Sequence, residues 1–262
     1  MAVMAPRAVL LDVDGVLVVS WKPIPGAIDA VDALRAAALP VLFVTNTTSR
    51  TRADVAGSLR DAGFTLDDSE LFTAGVATAA YLAEHHPGAR CLVYNEGPLD
   101  DLAGVTIVDD ARPDVVVIGS AGPSFTWDMV NRAARAVIGG AELVAMHGTA
   151  TWRTAGGICV DGGAYVAALE RATGRGAVTV GKPAAPMFEA ALHAVGVDAR
   201  DAVMVGDDLD SDVLAAQALG IHGVLVRTGK YRDEVLREAP EPPDAVIDSV
   251  AGLPAWLGLG RV

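Results

Sequence analysis

Two carboxylates spaced two residues apart, Asp12 and Asp14, follow the apolar run Val9-Leu10-Leu11 and precede Gly15. Such a run reads as a buried strand of a parallel sheet. The pair then stands at a strand's C-terminal end, where open α/β sheets bind ligands. Side chains two apart on a strand share a face, so Asp12 and Asp14 are expected to project together while Gly15 lets the chain turn away. Carboxylates this close repel each other. They coexist when a divalent cation lies between them, when they share a proton, or when one attacks while the other moves protons. Asp-x-Asp-Gly also occurs in calcium loops and in plain turns, so other residues must decide which chemistry applies.

Three further strand ends carry polar residues. Val41 to Val44 runs into Thr45-Asn46-Thr47-Thr48-Ser49, ahead of a helical face at Val55, Leu59 and Ala62 that Gly63 would stop. These hydroxyls can cap that helix, and a helix N-terminus with free N–H groups also binds phosphate. Val178 to Val180 runs into Gly181-Lys182-Pro183, with Pro183 read as the start of a helix bearing Phe188, Leu192 and Val195. Lys182 is therefore expected at a strand end, either solvated or neutralising an anion. Ala202 to Val205 runs into Gly206-Asp207-Asp208-Leu209-Asp210-Ser211-Asp212. One Asp suffices for a helix cap. Four carboxylates in six residues raise a mutual repulsion that a cation would offset.

The elements that must hold these residues alternate between strand and helix. Helical spacing at Ile28, Val31 and Leu34 follows the first strand, and short strands at Val224 to Val226 and Ala245 to Ile247 close the chain. Between residues 74 and 176 the same texture repeats. Helices are expected around Val76 to Glu84, Val130 to Val137 and Tyr165 to Ala172, and strands at Cys91 to Tyr94, Val115 to Ile118 and Leu143 to Met146. The pattern predicts an α/β fold: a Rossmann-like doubly wound parallel sheet core at residues 1–73 and 177–262, with a smaller α/β domain inserted at 74–176.

Composition narrows the function. The chain has 262 residues, 52% of them hydrophobic, and a net charge of −13. Clustered Lys and Arg are what displace counterions from nucleic acid, so a broad nucleic-acid surface is excluded. An anionic substrate would need local cations to hold it. Cys91 and Cys159 form no metal or disulfide pattern and are read as buried small hydrophobes in a reducing compartment. With neither a signal-peptide pattern nor a membrane-length apolar run, a cytoplasmic location and no membrane partner are expected.

Taken together, the four strand ends resemble the haloacid dehalogenase-like hydrolases, a superfamily made up mostly of magnesium-dependent phosphatases that work through an aspartyl-phosphate. Its four motifs correspond to Asp12-Val13-Asp14-Gly15, Thr45-Asn46, Gly181-Lys182-Pro183 and Gly206 to Asp212. The long insert resembles the family's C2-type cap, as in the NagD and 4-nitrophenylphosphatase branch. Within that branch, Thr45 to Arg50, Asp161 to Tyr165, Val203 to Asp208 and Val226 to Tyr231 resemble the phospholysine phosphohistidine inorganic pyrophosphate phosphatase group.

The resemblance implies roles. Asp12 would be the nucleophile and Asp14 the acid that then serves as base. Mg²⁺ would be held by the Asp12 carboxylate, the Asp14 backbone carbonyl and Asp207, with Asp208 and Asp212 holding its waters or Lys182 in place. Thr45 and the N–H groups of Asn46 and Thr47 would bind phosphoryl oxygens, and Lys182 would offset charge between Asp12 and the phosphate. The partner would be a small phosphorylated substrate, and the chain could either stay single or pair with a second copy through the cap, as capped relatives often do. In the cap, Trp152, Arg153, Thr154 or the turn at Gly156-Gly157 would contact the leaving group, although Trp152 could equally pack and Arg153 be solvated. Trp21 would gate entry or pack at the surface, and His147, His193 and His222 are read as structural.

Competing readings differ in identifiable residues. A phosphomutase or phosphotransferase of the same superfamily keeps both Asp residues, whereas a dehalogenase lacks the second. A phospho-accepting receiver domain usually lacks a proton-shuttling Asp two residues on and has no room for the insert. A dinucleotide-binding oxidoreductase would carry Gly-x-Gly-x-x-Gly where Asp12 to Gly15 stand.

Overall fold

The protein is described from a computed structural model that covers residues 6–110, 112–154 and 157–259. In chain order the strands are β1 (Ala8–Asp12), β2 (Val18–Val19), β3 (Lys22–Pro23), β4 (Val41–Thr45), β5 (Leu71–Thr73), β6 (Arg90–Tyr94), β7 (Thr106–Ile107), β8 (Val115–Ile118), β9 (Glu142–Ala145), β10 (Thr151–Thr154), β11 (Gly157–Val160), β12 (Val178–Thr179), β13 (Ala202–Gly206), β14 (His222–Val226) and β15 (Ala245–Ile247). The helices are α1 (Ala27–Ala36), α2 (Arg52–Asp61), α3 (Ala74–His85), α4 (Trp127–Ile138), α5 (Gly162–Thr173), α6 (Ala185–Val195), α7 (Ala215–Ala218), α8 (Asp233–Arg237) and α9 (Leu253–Trp256). Among the described residues no helix is long and apolar enough to cross a membrane.

The chain forms two compact units. One comprises residues 1–45, 53–72 and 183–262, the other 46–52 and 73–182. The first is built on a six-stranded sheet in the order β15-β14-β13-β1-β4-β5. β1 lies at its centre, parallel to β13 on one side, with Leu10 opposite Met204, and to β4 on the other, with Leu10 opposite Leu42. Apolar residues on both faces of β1 explain its uninterrupted run: Val9 and Leu11 pack in one cluster with Leu34 of α1 and Leu59 of α2, and Leu10 is also fully buried. Leu253 of α9 joins that cluster, while α6 packs on β4 and α7 on β14. The chain proceeds outward from β1 through β4 to β5, then returns to β13 and proceeds the other way. The order therefore reverses between β1 and β13, and a crevice at such a reversal is where doubly wound sheets bind ligands.

The second unit has a five-stranded parallel sheet in the order β12-β9-β8-β6-β7 and the antiparallel hairpin β10–β11. Leu92, Val116, Ile118 and Leu143 of its sheet bury against Met129, Ala133 and Val137 of α4 and Val166 and Leu169 of α5. Thr126 caps α4 by accepting the Met129 N–H at 3.3 Å, and Asp161 caps α5 by accepting the Gly162 N–H at 2.8 Å.

Three local expectations are corrected. The strand at Val178–Thr179 pairs with β9, so it extends the inserted sheet rather than the core, and residues 46–52 also group with the insert. Pro183 precedes α6, whose first turn holds Pro186 instead. Cys159 is exposed, because β11 belongs to a two-stranded hairpin open on both faces, with Trp152 beside Cys159 on one and Ile158 and Val160 exposed on the other. Cys91 is buried as expected.

Candidate active site

The candidate site grows from the ends of β1 and β13, the two strands that flank the reversal. Asp12 is the last residue of β1, and Asp207 follows the last residue of β13 directly. After Asp207 the chain enters a π-helical turn at Leu209–Leu214, in which the Asp208 carbonyl accepts from the Val213 N–H at 3.4 Å. Wide turns of this kind are rare and concentrate at functional sites. Here the turn folds Asp212 back over the strand end. A Cβ on Gly206 would lie 2.1 Å from the Asp212 Cβ, so glycine is required there.

The result is a cluster of three buried carboxylates: one oxygen from each of Asp12, Asp207 and Asp212, all within 4.8 Å of one another. Each of these residues is no more than 7% exposed. Asp212, expected to stand behind the cation's ligands, is a member of the cluster itself. Asp14 is not on the strand, which ends at Asp12, so the alternation argument for a shared face does not apply to it. It lies in the turn beyond, is exposed, and makes a lone strand-like bridge with Val18. Its expected link to the cation runs through the backbone carbonyl, which a strand position does not require.

Two glycines shape the Asp207 pocket. Gly15 and Gly229 both have left-handed backbones, at φ +85° and +64°, and a Cβ on either would fall 1.9 Å from Asp207 Oδ2. The glycine of the first motif is thus needed for close approach as well as for turning. Beside it, Asp208 caps the π turn by accepting the Ser211 N–H at 3.1 Å and pairs with Lys230 Nζ at 3.3 Å. Burial pushes the Asp208 carboxyl up, but Ser211 and Lys230 outweigh it and hold it below the usual range. Burial also works against the charged Lys230, yet Asp208, Asp207, Asp12 and Asp212 together hold its ammonium above the ordinary value. Lys230 therefore contacts Asp208 directly and lies within electrostatic reach of the other three carboxylates. Sequence reasoning found the segment around it only as part of a resemblance and gave it no role.

Thr45, the buried last residue of β4, belongs to the same unit as the carboxylates, whereas Asn46, Thr47 and Lys182 group with the second unit. There the side-chain amide of Asn46 donates to the Lys182 carbonyl at 2.8 Å and accepts the Lys182 N–H at 2.9 Å. This two-way contact fixes the backbone of Lys182, a function for the Asn46 side chain beyond its expected N–H role. A Cβ on Gly181 would lie 2.7 Å from Asn46 Oδ1, which accounts for the glycine before the lysine. Gly156 and the side chains of Arg153 and Thr154 lie outside the described residues. Trp152 is exposed, as is Trp21, which with Ser20 adopts positive φ in the turn between β2 and β3.

The loop after Lys182's partner is tied into the second unit by a polar chain. Asn95 donates to the Thr48 carbonyl at 3.0 Å, the Thr48 and Ser120 hydroxyls lie 2.6 Å apart, and Ser120 Oγ is 3.2 Å from His147 Nε2. His147 Nδ1 accepts the Thr149 N–H at 3.3 Å, so the neutral ring carries its proton on Nε2. Burial lowers the His147 pKa, and the Asp161 carboxylate opposes this only in part. A His held neutral in the fold charges more readily when unfolded. Its stabilising contribution is complete above about pH 6.5 and is lost as pH falls below that value toward the depressed folded pKa. His147→Gln, which keeps a donor toward Ser120, should flatten the fall in melting temperature between about pH 7.5 and 5 relative to the parent. Parallel curves for the two proteins would refute this assignment.

The chain is similar to known proteins over most of its length. The family profile for haloacid dehalogenase-like hydrolases matches residues 9–104, and a HAD-hydrolase-like profile matches residues 179–253. The chain is 36% identical over 245 residues to human haloacid dehalogenase-like hydrolase domain-containing protein 2, covering 94% of this chain and 93% of that one. It is 34% identical over 252 residues to human phospholysine phosphohistidine inorganic pyrophosphate phosphatase, covering 94% and 92%. The solved structure of p-nitrophenyl phosphatase from Archaeoglobus fulgidus superposes with a TM-score of 0.88 at 29% identity, over 95% of this chain and 98% of that one. With its four motifs at strand ends and an α/β unit inserted between the second and third, the chain belongs to the haloacid dehalogenase-like hydrolases, in their C2-capped branch.

Proposed function

We propose that the protein is a Mg²⁺-dependent phosphatase that hydrolyses a small phosphorylated metabolite, a phosphomonoester or a pyrophosphate or phosphoamide, through an aspartyl-phosphate. The observation that carries this reading is the convergence of Asp12 with Asp207 and Asp212 at the sheet's reversal point. Three buried carboxylates offer only hard oxygen donors, and that donor set suits Mg²⁺. When bound, the cation would neutralise the carboxylates and the phosphate oxygens that approach them.

The chain's own residues then divide the work. An Asp12 carboxylate oxygen attacks phosphorus as the bond from phosphorus to the leaving atom breaks, oxygen in a phosphomonoester or pyrophosphate and nitrogen in a phosphoamide, and Asp14 gives that atom its proton. Water next attacks the aspartyl-phosphate, Asp14 takes the proton back, and inorganic phosphate leaves with Asp12 restored. Asp14's exposed position suits a group that must meet both a leaving group and water. Thr45 and the N–H groups of Asn46 and Thr47 hold the phosphoryl oxygens, and Lys182, held at its backbone by Asn46, supplies the positive charge that a chain of net charge −13 otherwise lacks.

The test is phosphate release from p-nitrophenyl phosphate, from pyrophosphate and from a panel of phosphomonoesters and phosphoamides. Turnover in Mg²⁺, lost on chelation with EDTA and recovered on re-addition, is the expected result. No turnover of any of these compounds in Mg²⁺ would overturn the reading.

A further inference from the structure

Thr228-Gly229-Lys230, the loop after β14, contacts the acidic group without contributing a carboxylate to it. Its three consecutive residues make three contacts. The Thr228 hydroxyl donates to the Gly15 carbonyl, in the turn just past Asp12 and Asp14. Gly229 and Gly15 both bring their backbones against Asp207 Oδ2 and against each other: a Cβ on Gly229 would sit 2.7 Å from the Gly15 Cα. The Lys230 backbone N–H then donates to the same Oδ2 at 2.7 Å. One carboxylate oxygen of Asp207 is thus packed against two glycine backbones and fixed by a hydrogen bond, and the segment that fixes it is bonded to the turn of the first motif.

We propose that Thr228-Gly229-Lys230 is a strap of positioning residues that sets the Asp207 carboxylate, and its register with the Asp12–Gly15 turn, for cation binding. The inference rests on the Mg²⁺ reading above and adds to it residues more than 200 positions from Asp12 in sequence. Partners that orient a metal ligand's free atoms are worth about 10- to 100-fold in metal affinity. The load falls on the Thr228 hydroxyl and the Lys230 N–H. The Lys230 side chain is 68% exposed, so its ion pair with Asp208 adds little to holding the strap in place.

This division yields a pattern that a merely structural loop would not produce. Mg²⁺ binding to the full-length, substrate-free protein is measured by calorimetry, beside metal-free melting curves. Thr228→Val should weaken Mg²⁺ about 10- to 100-fold. Thr228→Ser should bind within about threefold of the parent, because it keeps the hydroxyl. Should Thr228→Val not fold, Thr228→Ala carries the same expectation without added bulk. Parental affinity in Thr228→Val or Thr228→Ala, or a lower metal-free melting temperature with affinity unchanged, overturns the strap and leaves the phosphatase reading standing. A parent protein that binds no Mg²⁺ overturns the metal reading and the strap with it.

Discussion

Asp12→Asn should reduce turnover of p-nitrophenyl phosphate by about 10⁴-fold or more, the scale on which loss of a covalent nucleophile is felt in hydrolases. The same substitution should make the metal-free protein more stable. Within 4.8 Å and at an effective dielectric constant of about 20, each pair of charged carboxylates repels by about 3.5 kcal/mol or more before screening by Lys230. Neutralising Asp12 removes two of the three pairs in the cluster, and Lys230 already offsets part of the total. A net gain of one or two kcal/mol would raise the melting temperature in EDTA by about 2–8 °C. Mg²⁺ should correspondingly stabilise the parent more than the variant. An Asp12→Asn protein that keeps parental turnover would rule out Asp12 as nucleophile, and one that melts lower in EDTA would rule out repulsion within the cluster.

Gly15→Ala should combine two costs. Its φ of +85° disfavours any residue with a Cβ, at about 1–3 kcal/mol. The new methyl would also demand the space of Asp207 Oδ2, which lies 1.9 Å away. Either the turn after Asp12 or the Asp207 carboxylate must move. A displacement near 1 Å at reacting groups is worth about 10²-fold, so kcat should fall by at least that much. Mg²⁺ affinity should fall with it, because the moved atom belongs to a carboxylate of the cluster. Gly88→Ala makes the control: its φ is +77°, but nothing lies within 4 Å of the added Cβ, so it should cost stability alone. Equal kcat in the two variants would show that the steric reading of Gly15 is mistaken.

The parts of the site that could be read in the sequence are those where an apolar run meets polar residues. Buried strands of a parallel sheet have no polar face, so β1, β4 and β13 stand out, and their last residues are where ligands meet such sheets. Other parts depend on partners that the run itself does not name. Val178-Thr179-Val180 looks like any short core strand, and only pairing with β9 assigns it to the inserted sheet. β5 has three residues, too few to show a period. Asp212 enters the cluster because a π turn replaces an α turn, a difference of one residue in hydrogen-bond spacing that leaves no mark on hydrophobic periodicity. The side-chain function of Asn46 and the position of Lys230 arise from contacts 136 and 23 residues away in sequence, where local patterning says nothing.

The central place of β1 also affects how the chain is made. Its partner on one side, β4, is synthesised soon after it, but its partner on the other, β13, follows about 190 residues later. At translation speeds of about 5–20 residues per second, one edge of a strand that is apolar up to its terminal Asp12 waits on the order of 10–40 s for its neighbour. During that wait the nascent chain presents an open, hydrophobic hydrogen-bonding edge, the template for pairing with another chain. Truncated products ending before Ala202 should therefore aggregate rather than persist as half-domains. Full-length chains should depend on chaperone capacity during synthesis far more than the finished fold would suggest.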